Sequence, residues 1–386
     1  MKALKYKGLI SFLLIFYLSM GISRYVQILW FEKNDAVFAY SLSYAFMAIA
    51  GSLSFLLGSK INGQKLLKSF AFFIPIYSLG MLLRVFTGPL VLPILSGFIS
   101  GIGASTVILI VRTWIFVIAN EQDEDKEFLI SSRVVAGQIG AVVSVLLAGQ
   151  LLVIFQESSY IYIILLIASA LSLYTVFLVR IPDNKINESR NSILPTDKKL
   201  TFIALISSVI LGTSNGMFEP YLPIILKNIG FSLSTVSIIM AIYATIKIIS
   251  GLTFQNKRLL TYPHYNILVA EVLLCLSAIS LVLLEQKYII LCLIFIISVL
   301  ISITNISIEI WEYRVFPSKE LPIYFGIIHS SFFIGDALGG TVGGYLYTYV
   351  NIEMLFIVFS VLSLILGIIY FTMYRKITLA KGEIVK

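Results

Sequence analysis

Long apolar runs, separated by short polar islands, are the main feature of this amino-acid sequence. A run of about 20 apolar residues is the length that an α-helix needs to cross the hydrocarbon core of a membrane. Lipid offers the backbone no hydrogen-bond partner, so a helix is the structure expected of each run. The pattern predicts an all-α integral membrane protein with twelve transmembrane helices, called spans 1 to 12, at residues 8–31, 36–58, 67–86, 90–119, 130–155, 158–180, 200–226, 232–255, 265–285, 288–313, 322–349 and 351–375.

One polar stretch is longer than the others and divides the spans into two sets of six. This segment, 181–199, reads IPDNKINESRNSILPTDKK and is predicted to be a cytoplasmic linker. The predicted domains are an N-terminal six-helix bundle at 1–180, a C-terminal six-helix bundle at 200–375 and a cytoplasmic tail at 376–386.

The two sets of spans carry matching landmarks. Trp114 in VRTWIF corresponds to Trp311 in IEIWEY, and Gly140 corresponds to Gly335 at nearly the same spacing. Such a match indicates a duplicated six-helix unit. Parallel repeats related by an axis along the membrane normal are a known membrane-protein architecture, so two pseudosymmetric bundles are expected.

Composition and charge exclude other classes of protein. Of the 386 residues, 59% are hydrophobic and 12% are charged, against about 25% charged in a typical soluble domain. The formal net charge of +8 comes from basic residues in short loops, which favours membrane topology over nucleic-acid binding. Lys and Arg concentrate on the side of the N-terminus, so the linker and both termini are predicted to be cytoplasmic.

Metal, cofactor and enzyme chemistry have no support in the sequence. The two cysteines, Cys275 and Cys292, lie inside apolar runs, so no disulfide is expected. The sequence has two histidines and no His/Cys cluster, so no metal site is expected either. A nucleotide-binding glycine loop and a nucleophile–histidine arrangement are also absent, and we expect neither a cofactor nor an enzyme.

Two long segments resemble the major facilitator superfamily. The segment GMFEPYLPIILKNIGFSLSTVSIIMAI, which begins at Gly216, is similar to that family's seventh and eighth helices and the outer loop between them. The segment EYRVFPSKELPIYFGIIHSSFFIGDALGGTVGGYL is similar to its loop 10–11 and eleventh helix. The resemblance extends over essentially the whole chain. It implies the twelve-helix fold of a bacterial secondary transporter that works by alternating access.

A glycine-rich run in span 11 is close to the family's glycine motif, with Gly340 where antiporters usually carry proline. Small residues also permit close approach of helices in lipid, so packing alone is a sufficient role for this run. Two other family motifs are altered: Asn62 replaces an aspartate in loop 2–3, and Gly97 stands where drug–proton antiporters have arginine. The glycines expected to pack helices are Gly335, Gly339, Gly340, Gly343 and Gly344.

Ionisable residues inside membrane spans are costly, and each is a functional candidate for that reason. Asp336 is predicted to lie near the membrane centre, where its carboxyl group could carry a proton or bond a neighbouring helix. Glu219 and Glu309 are the other candidates for proton coupling.

Three further charged residues are given structural roles. Lys247 and Glu271 lie at similar predicted depths in spans 8 and 9 and are expected to form an ion pair. Arg84 lies near the outer end of span 3, where its long side chain could extend to the membrane surface.

Two charge pairs are predicted to act as gates. Arg24 in span 1 and Glu219 in span 7 reach the outer half of the membrane and are expected to attract each other there. Arg112 and Glu309 occupy equivalent positions in the two repeats and are expected to pair at the inner mouth, with Glu312 on the same helix face as Glu309. Pairing with nearby loop charges is the alternative for both sets. The other side chains expected along the pathway are Trp114, Trp311 and Tyr221.

Together with the resemblance, these features predict a secondary transporter in the plasma membrane that moves a small solute, with protons as the coupling ion. Aromatic side chains are frequent in the spans expected to line the cavity, which favours efflux of an amphipathic or hydrophobic compound. Two alternatives stay open: a proton-coupled uptake permease for a small metabolite or sugar, and a lipid-handling or sensor protein. The expected partners are the solute, protons and the lipid bilayer, with no nucleic acid, and we expect a monomer.

Overall fold

The computed structural model of the protein describes residues 6–58, 66–121, 126–155, 159–179, 195–253, 262–316 and 321–380. Every regular element in these ranges is a helix, as predicted. Each predicted span corresponds to one helix, and α7 consists of two parts joined by the 3₁₀ turn Glu219–Tyr221. The helices are α1 (Lys7–Lys33), α2 (Val37–Gly58), α3 (Leu66–Leu82), α4 (Val91–Glu121), α5 (Lys126–Ile154), α6 (Tyr162–Tyr174), α7 (Lys198–Phe218 and Leu222–Asn228), α8 (Leu233–Thr253), α9 (Pro263–Leu283), α10 (Lys287–Val315), α11 (Leu321–Tyr345) and α12 (Ile352–Ala380).

Most of the helices have the length and the surface of membrane spans. In the described ranges, nine helices are long and apolar enough to cross a membrane, and α2 and α6 are shorter apolar helices. Large apolar side chains project from the surface along them, which suits contact with lipid. Among the most exposed are Phe72, Ile154, Phe177, Leu283 and Tyr288.

The start of α7 is fixed by a side-chain cap. Asp197 Oδ1 accepts a hydrogen bond of 3.0 Å from the backbone N–H of Leu200, which satisfies one of the free donors of the first helical turn. Residues 180–194, which make up most of the predicted linker, lie outside the described residues, and so do residues 381–386 of the predicted tail.

The chain divides into two compact units. Unit 1 contains Met1–Asn191 and Tyr221–Ala241, and unit 2 contains Ser192–Pro220 and Ile242–Lys386. The boundary therefore falls at the interruption of α7 and again inside α8. The six-plus-six domain division read from the sequence stays a prediction.

In unit 1, α4 packs closely against α2 because glycines remove the side chains between them. A Cβ atom at Gly97 would overlap the backbone carbonyl of Ser43, and one at Gly101 would overlap that of Met47. Such close backbone approach is typical of helix pairs in lipid. The close contact at Gly97 leaves no space for a side chain at this position.

In unit 2, α7 and α11 pack in the same way. A Cβ atom at Gly335 would overlap the carbonyl of Val209, and one at Gly339 would overlap that of Thr213. Glycines on α7 contribute too, because a Cβ atom at Gly212 would overlap a carbonyl of α11. Small residues four apart on both helices thus allow the backbones to touch.

Candidate functional site

The interruption of α7 results from two prolines. Pro220 has no backbone N–H, and its ring clashes with the preceding turn, so it disfavours a continuous α-helix at this position. Pro223 lies in the first turn of the second part of α7, where proline is tolerated. The carboxylate of Glu219 is therefore held at the end of a helix within an apolar span.

The side chains of Glu219, Tyr243 and Lys247 meet at this interruption, and we call them the Glu219 cluster. The ammonium group of Lys247 forms an ion pair with Glu219 Oε1, and the Tyr243 hydroxyl donates a 3.3 Å hydrogen bond to the same oxygen. Lys247 Nζ also lies 5.7 Å from the centre of the Tyr243 ring. Tyr243 and Lys247 are four residues apart on α8, so both reach Glu219 from one face of that helix.

Hydrogen bonds from α10 hold the part of α8 that carries the cluster. Ser298 Oγ donates to the carbonyl of Tyr243 at 2.9 Å, and Ser302 Oγ donates to that of Lys247 at 2.8 Å. The backbone positions of Tyr243 and Lys247 are thus fixed by α10.

The predicted ion pair between Lys247 and Glu271 is wrong. Lys247 contacts Glu219 on α7, whereas Glu271 on α9 faces the hydroxyl groups of Thr304 and Ser363. The two residues were matched by depth in the membrane, but their helices turn the side chains to different neighbours.

The acidic candidates for proton coupling lie at separate places in unit 2. Asp336 is 8% exposed at the contact between α7 and α11, where a Cβ atom on Gly216 would lie 2.7 Å from its Oδ1. On α10, Glu309 is exposed and Glu312 is buried. Their roles in proton transfer stay predictions.

The gate residues have the following neighbours. In unit 1, Arg24 Nη2 donates a 3.1 Å hydrogen bond to the Tyr44 hydroxyl, and the guanidinium carbon lies 5.6 Å from the centre of that ring. Arg24 belongs to unit 1 and Glu219 to unit 2, and their pairing stays a prediction. The side chain of Arg112 lies outside the described side chains, so its pairing with Glu309 stays a prediction as well.

The aromatic pathway candidates are packed against other rings. Trp114, Trp311 and Tyr221 are 2%, 1% and 0% exposed. Edge-to-face contacts with centroid distances of 5.8, 5.1 and 5.9 Å hold them in place. Their ring partners are Phe70, Tyr370 and Tyr40, respectively.

Arg84 lies inside unit 1, so the predicted extension to the membrane surface is wrong. The residue is 2% exposed, because a 3₁₀ turn, Leu83–Val85, follows α3 and the side chain is directed into the bundle. Its guanidinium donates to Ser23 Oγ at 2.9 Å, to Ser100 Oγ at 3.3 Å and to Met47 Sδ at 3.4 Å. These neutral groups come from α1, α4 and α2, which Arg84 thereby links.

The sequence reasoning missed how the Glu219 cluster assembles, although a signal was present. Two prolines beside Glu219 indicated an interrupted span, and Tyr243 and Lys247 are spaced to share a helix face. For the inward direction of Arg84 no sequence signal is apparent, since it depends on the turn after α3.

An all-α chain with apolar helices of membrane-spanning length and a charged cluster at an interrupted span has the features of a polytopic membrane transporter. Residues 204–383 match the family model described as Major Facilitator Superfamily. Solved structures of such transporters match nearly the whole chain, and the predicted resemblance to this superfamily is confirmed. No curated protein sequence matches the chain significantly.

Three solved structures illustrate the likeness. The nucleoside transporter NupG is 17% identical, with 95% of this chain and 98% of that chain covered and a TM-score of 0.78. A bacterial homologue of the human lysosomal transporter Spinster is 12% identical, with 97% of each chain covered and a TM-score of 0.72. A D-xylose–proton symporter is 12% identical, with 94% of this chain and 95% of that chain covered and a TM-score of 0.64. At these identities the likeness establishes the fold.

Proposed function

We propose that the protein is a secondary transporter that takes up a small polar solute across the plasma membrane by alternating access, coupled to the entry of a cation. The observation that carries this proposal is the Glu219 cluster. The side chains of Glu219 and Lys247 are 30% and 27% exposed although they lie in apolar spans. Charged groups are costly there, and they offer the hydrogen-bond donors and acceptors by which a site orients a polar ligand.

Two observations favour uptake of a polar solute over the efflux that the sequence favoured. One neighbour in fold is a nucleoside transporter and another is a D-xylose–proton symporter, and both named solutes are rich in hydroxyl groups. Most of the aromatic residues described in the spans expected to line the cavity are packed in the protein interior; Tyr25, for example, is 5% and Phe218 is 0% exposed. Their side chains offer little surface to an amphipathic compound.

The remaining parts of the proposal follow from charge and composition. We place the N-terminus, the C-terminus and the segment 181–199 in the cytoplasm, because Lys and Arg concentrate in the loops on that side. Protons are the coupling ion predicted from the intramembrane carboxylates, Asp336 first among them. The working unit is a monomer.

Transport in proteoliposomes tests the function. Purified protein would be reconstituted and supplied with radiolabelled uridine or xylose under an imposed inward gradient of H⁺ or Na⁺. We expect accumulation of a polar solute that collapses when an ionophore dissipates the driving gradient. Glu219→Gln and Lys247→Gln should each lower the initial rate by about tenfold or more, since each leaves the other charge without this partner. Glu285→Gln, the same change at an exposed position after α9, is the matched control.

The same vesicles separate the alternatives. Extrusion of an amphipathic dye against a gradient, with no accumulation of any polar solute, would support efflux and overturn the proposal. A protein that moves no solute under either gradient, although correctly folded, would favour a lipid-handling or sensor role.

A further inference from the structure

Glu271 is a buried carboxylate in unit 2 with no basic side chain beside it. It is 3% exposed, and within the described ranges no lysine or arginine lies at ion-pair distance from it. The cation expected to compensate it, Lys247, contacts Glu219 instead. An ionised carboxylate inside an apolar bundle is unfavourable without a compensating charge, so this group needs another partner.

Two buried hydroxyl groups lie beside Glu271, within reach of its carboxylate. Thr304 on α10 and Ser363 on α12 face its carboxylate and are 1% and 0% exposed. Neither hydroxyl oxygen has a hydrogen bond of ordinary geometry. Hydroxyl groups can orient the carboxylate but supply no positive charge, so the partner still missing at Glu271 is a cation.

A small cavity adjoins Glu271 and Thr304, with room for about one water molecule. Its other polar lining residues are Ser214 and Asn215 on α7 and Asn305 on α10. Asn305 is an exposed residue, so this side of the cavity lies near the surface of the unit. Carboxylate, hydroxyl and amide groups from three helices thus surround one small space.

We propose that Glu271 and the oxygen atoms around this cavity bind a single monovalent metal cation, and that the cation is Na⁺. An all-oxygen set of ligands suits a hard cation. One carboxylate cancels one positive charge, whereas a divalent ion would leave excess charge within the membrane. A proton on Glu271 would provide only one donor, while a metal ion can be coordinated by several of the surrounding oxygens at once.

The position of the site suggests how the ion would act on transport. Asn215 lies one turn before Glu219 on α7, so an ion bound at Asn215 is close to the helix end that carries the Glu219 cluster. Na⁺ binding at Glu271 would thus favour one arrangement of α7 over another. This coupling role rests on the proposed transport function, whereas ion binding itself does not.

Equilibrium binding of ²²Na⁺ to the purified full-length protein in detergent tests the site without any transported solute. We expect saturable binding of one ion per chain at mildly alkaline pH, and a rise in melting temperature when NaCl replaces choline chloride at constant ionic strength. Glu271→Gln should abolish both effects. Thr304→Val, which keeps the shape of the side chain, should weaken binding about tenfold, and Glu285→Gln should behave as the wild type.

Several outcomes would overturn the site. The site is wrong if the wild type shows no saturable ²²Na⁺ binding, or if binding survives Glu271→Gln. It is also wrong if the melting temperature depends on Glu271 and on pH but not on Na⁺, because Glu271 would then bind a proton. If Glu271→Gln fails to fold, undiminished binding in Thr304→Val overturns the site instead. Solute uptake driven by H⁺ alone, with no Na⁺ binding, would reject this inference and leave the transport function standing. Na⁺ binding without any solute transport would support the ion site and contradict the proposed transport function.

Discussion

Lys227 Nζ lies 2.7 Å from Oε1 and 2.6 Å from Oε2 of Glu32, so its ammonium group bridges both carboxylate oxygens. Glu32 lies in the last turn of α1, and Lys227 lies at the end of α7. Both residues belong to unit 1, and the pair attaches the segment Tyr221–Ala241 to α1. The ring contact between Tyr221 and Tyr40 attaches the same segment to α2.

The Lys227–Glu32 pair should make a modest contribution to stability. Its side chains are 39% and 18% exposed, so water screens the attraction, and a coupling free energy of about 1 kcal/mol is expected. A double-mutant cycle with Lys227→Gln and Glu32→Gln, followed by chemical unfolding in detergent, measures it. The coupling should shrink as salt is raised. Zero coupling at low salt would contradict the assignment. So would a loss of stability in Lys33→Gln, a change at a neighbouring exposed residue, as large as that in Lys227→Gln.

The Glu219–Lys247 pair should be coupled in both stability and uptake. Lys247→Gln leaves the Glu219 carboxylate without this cation, so the double variant with Glu219→Gln should fold better than the single Lys247→Gln variant. The expected coupling is about 1 to 3 kcal/mol, less than for a fully buried pair because both groups are partly exposed. Tyr243→Phe removes only the 3.3 Å hydrogen bond and should cost about 1 kcal/mol.

A second cycle tests the predicted outer gate. Arg24→Gln and Glu219→Gln should show coupling in the uptake rate if these residues attract each other during the transport cycle. Tyr44→Phe, which removes the 3.1 Å hydrogen bond to Arg24, controls for the local role of that arginine. Strictly additive effects of the two glutamine substitutions would rule the pairing out.

The sequence predicted best those features that the membrane constrains most strongly. The number and approximate ends of the helices followed from the apolar runs, because only helices satisfy the backbone in lipid. Depth along a span follows from the 1.5 Å rise per residue. Lys247 and Glu271 were predicted to pair because their depths are similar. Which neighbour a side chain faces depends on how each helix is rotated in the packed bundle. That rotation directed Lys247 to Glu219.

The sequence also gave less guidance on residues whose environment is created by other elements. Glu271 was interpreted as half of an ion pair, and its relation to Thr304 and Ser363 depends on the packing of α9 against two distant helices. Close helix packing by span 11 was easier to propose, because glycines four apart are a local pattern. The surfaces that they meet on α7, at Val209 and Thr213, required the structure.

The α7–α11 contact should tolerate no added methyl group at its centre. In Gly339→Ala the new Cβ atom would overlap the carbonyl of Thr213 and lie 2.9 Å from the N atom of Met217, so the helices must separate. We expect a loss of about 1 to 3 kcal/mol in the free energy of unfolding. Gly88→Ala is the matched control, because nothing lies within 4 Å of a Cβ atom there. Equal melting temperatures for the two variants would show that α7 and α11 are not closely packed at Gly339.

Arg84 should act as a structural link between α1, α2 and α4, and its role should not be transferable to lysine. The guanidinium donates to Ser23, Ser100 and Met47 in different directions, and a lysine ammonium on a flexible chain cannot reproduce that fork. Arg84→Lys therefore keeps a buried charge but loses most of its hydrogen bonds, at an expected cost of about 2 to 4 kcal/mol. Arg84→Met removes the charge and keeps much of the apolar volume, so it should be the less destabilised of the two variants. Thermal unfolding of both variants in the same detergent shows which of them is more stable. Arg84→Lys more stable than Arg84→Met would mean that the positive charge matters more than the hydrogen-bond geometry, and would move Arg84 from a structural role to that of a binding site for an anionic group.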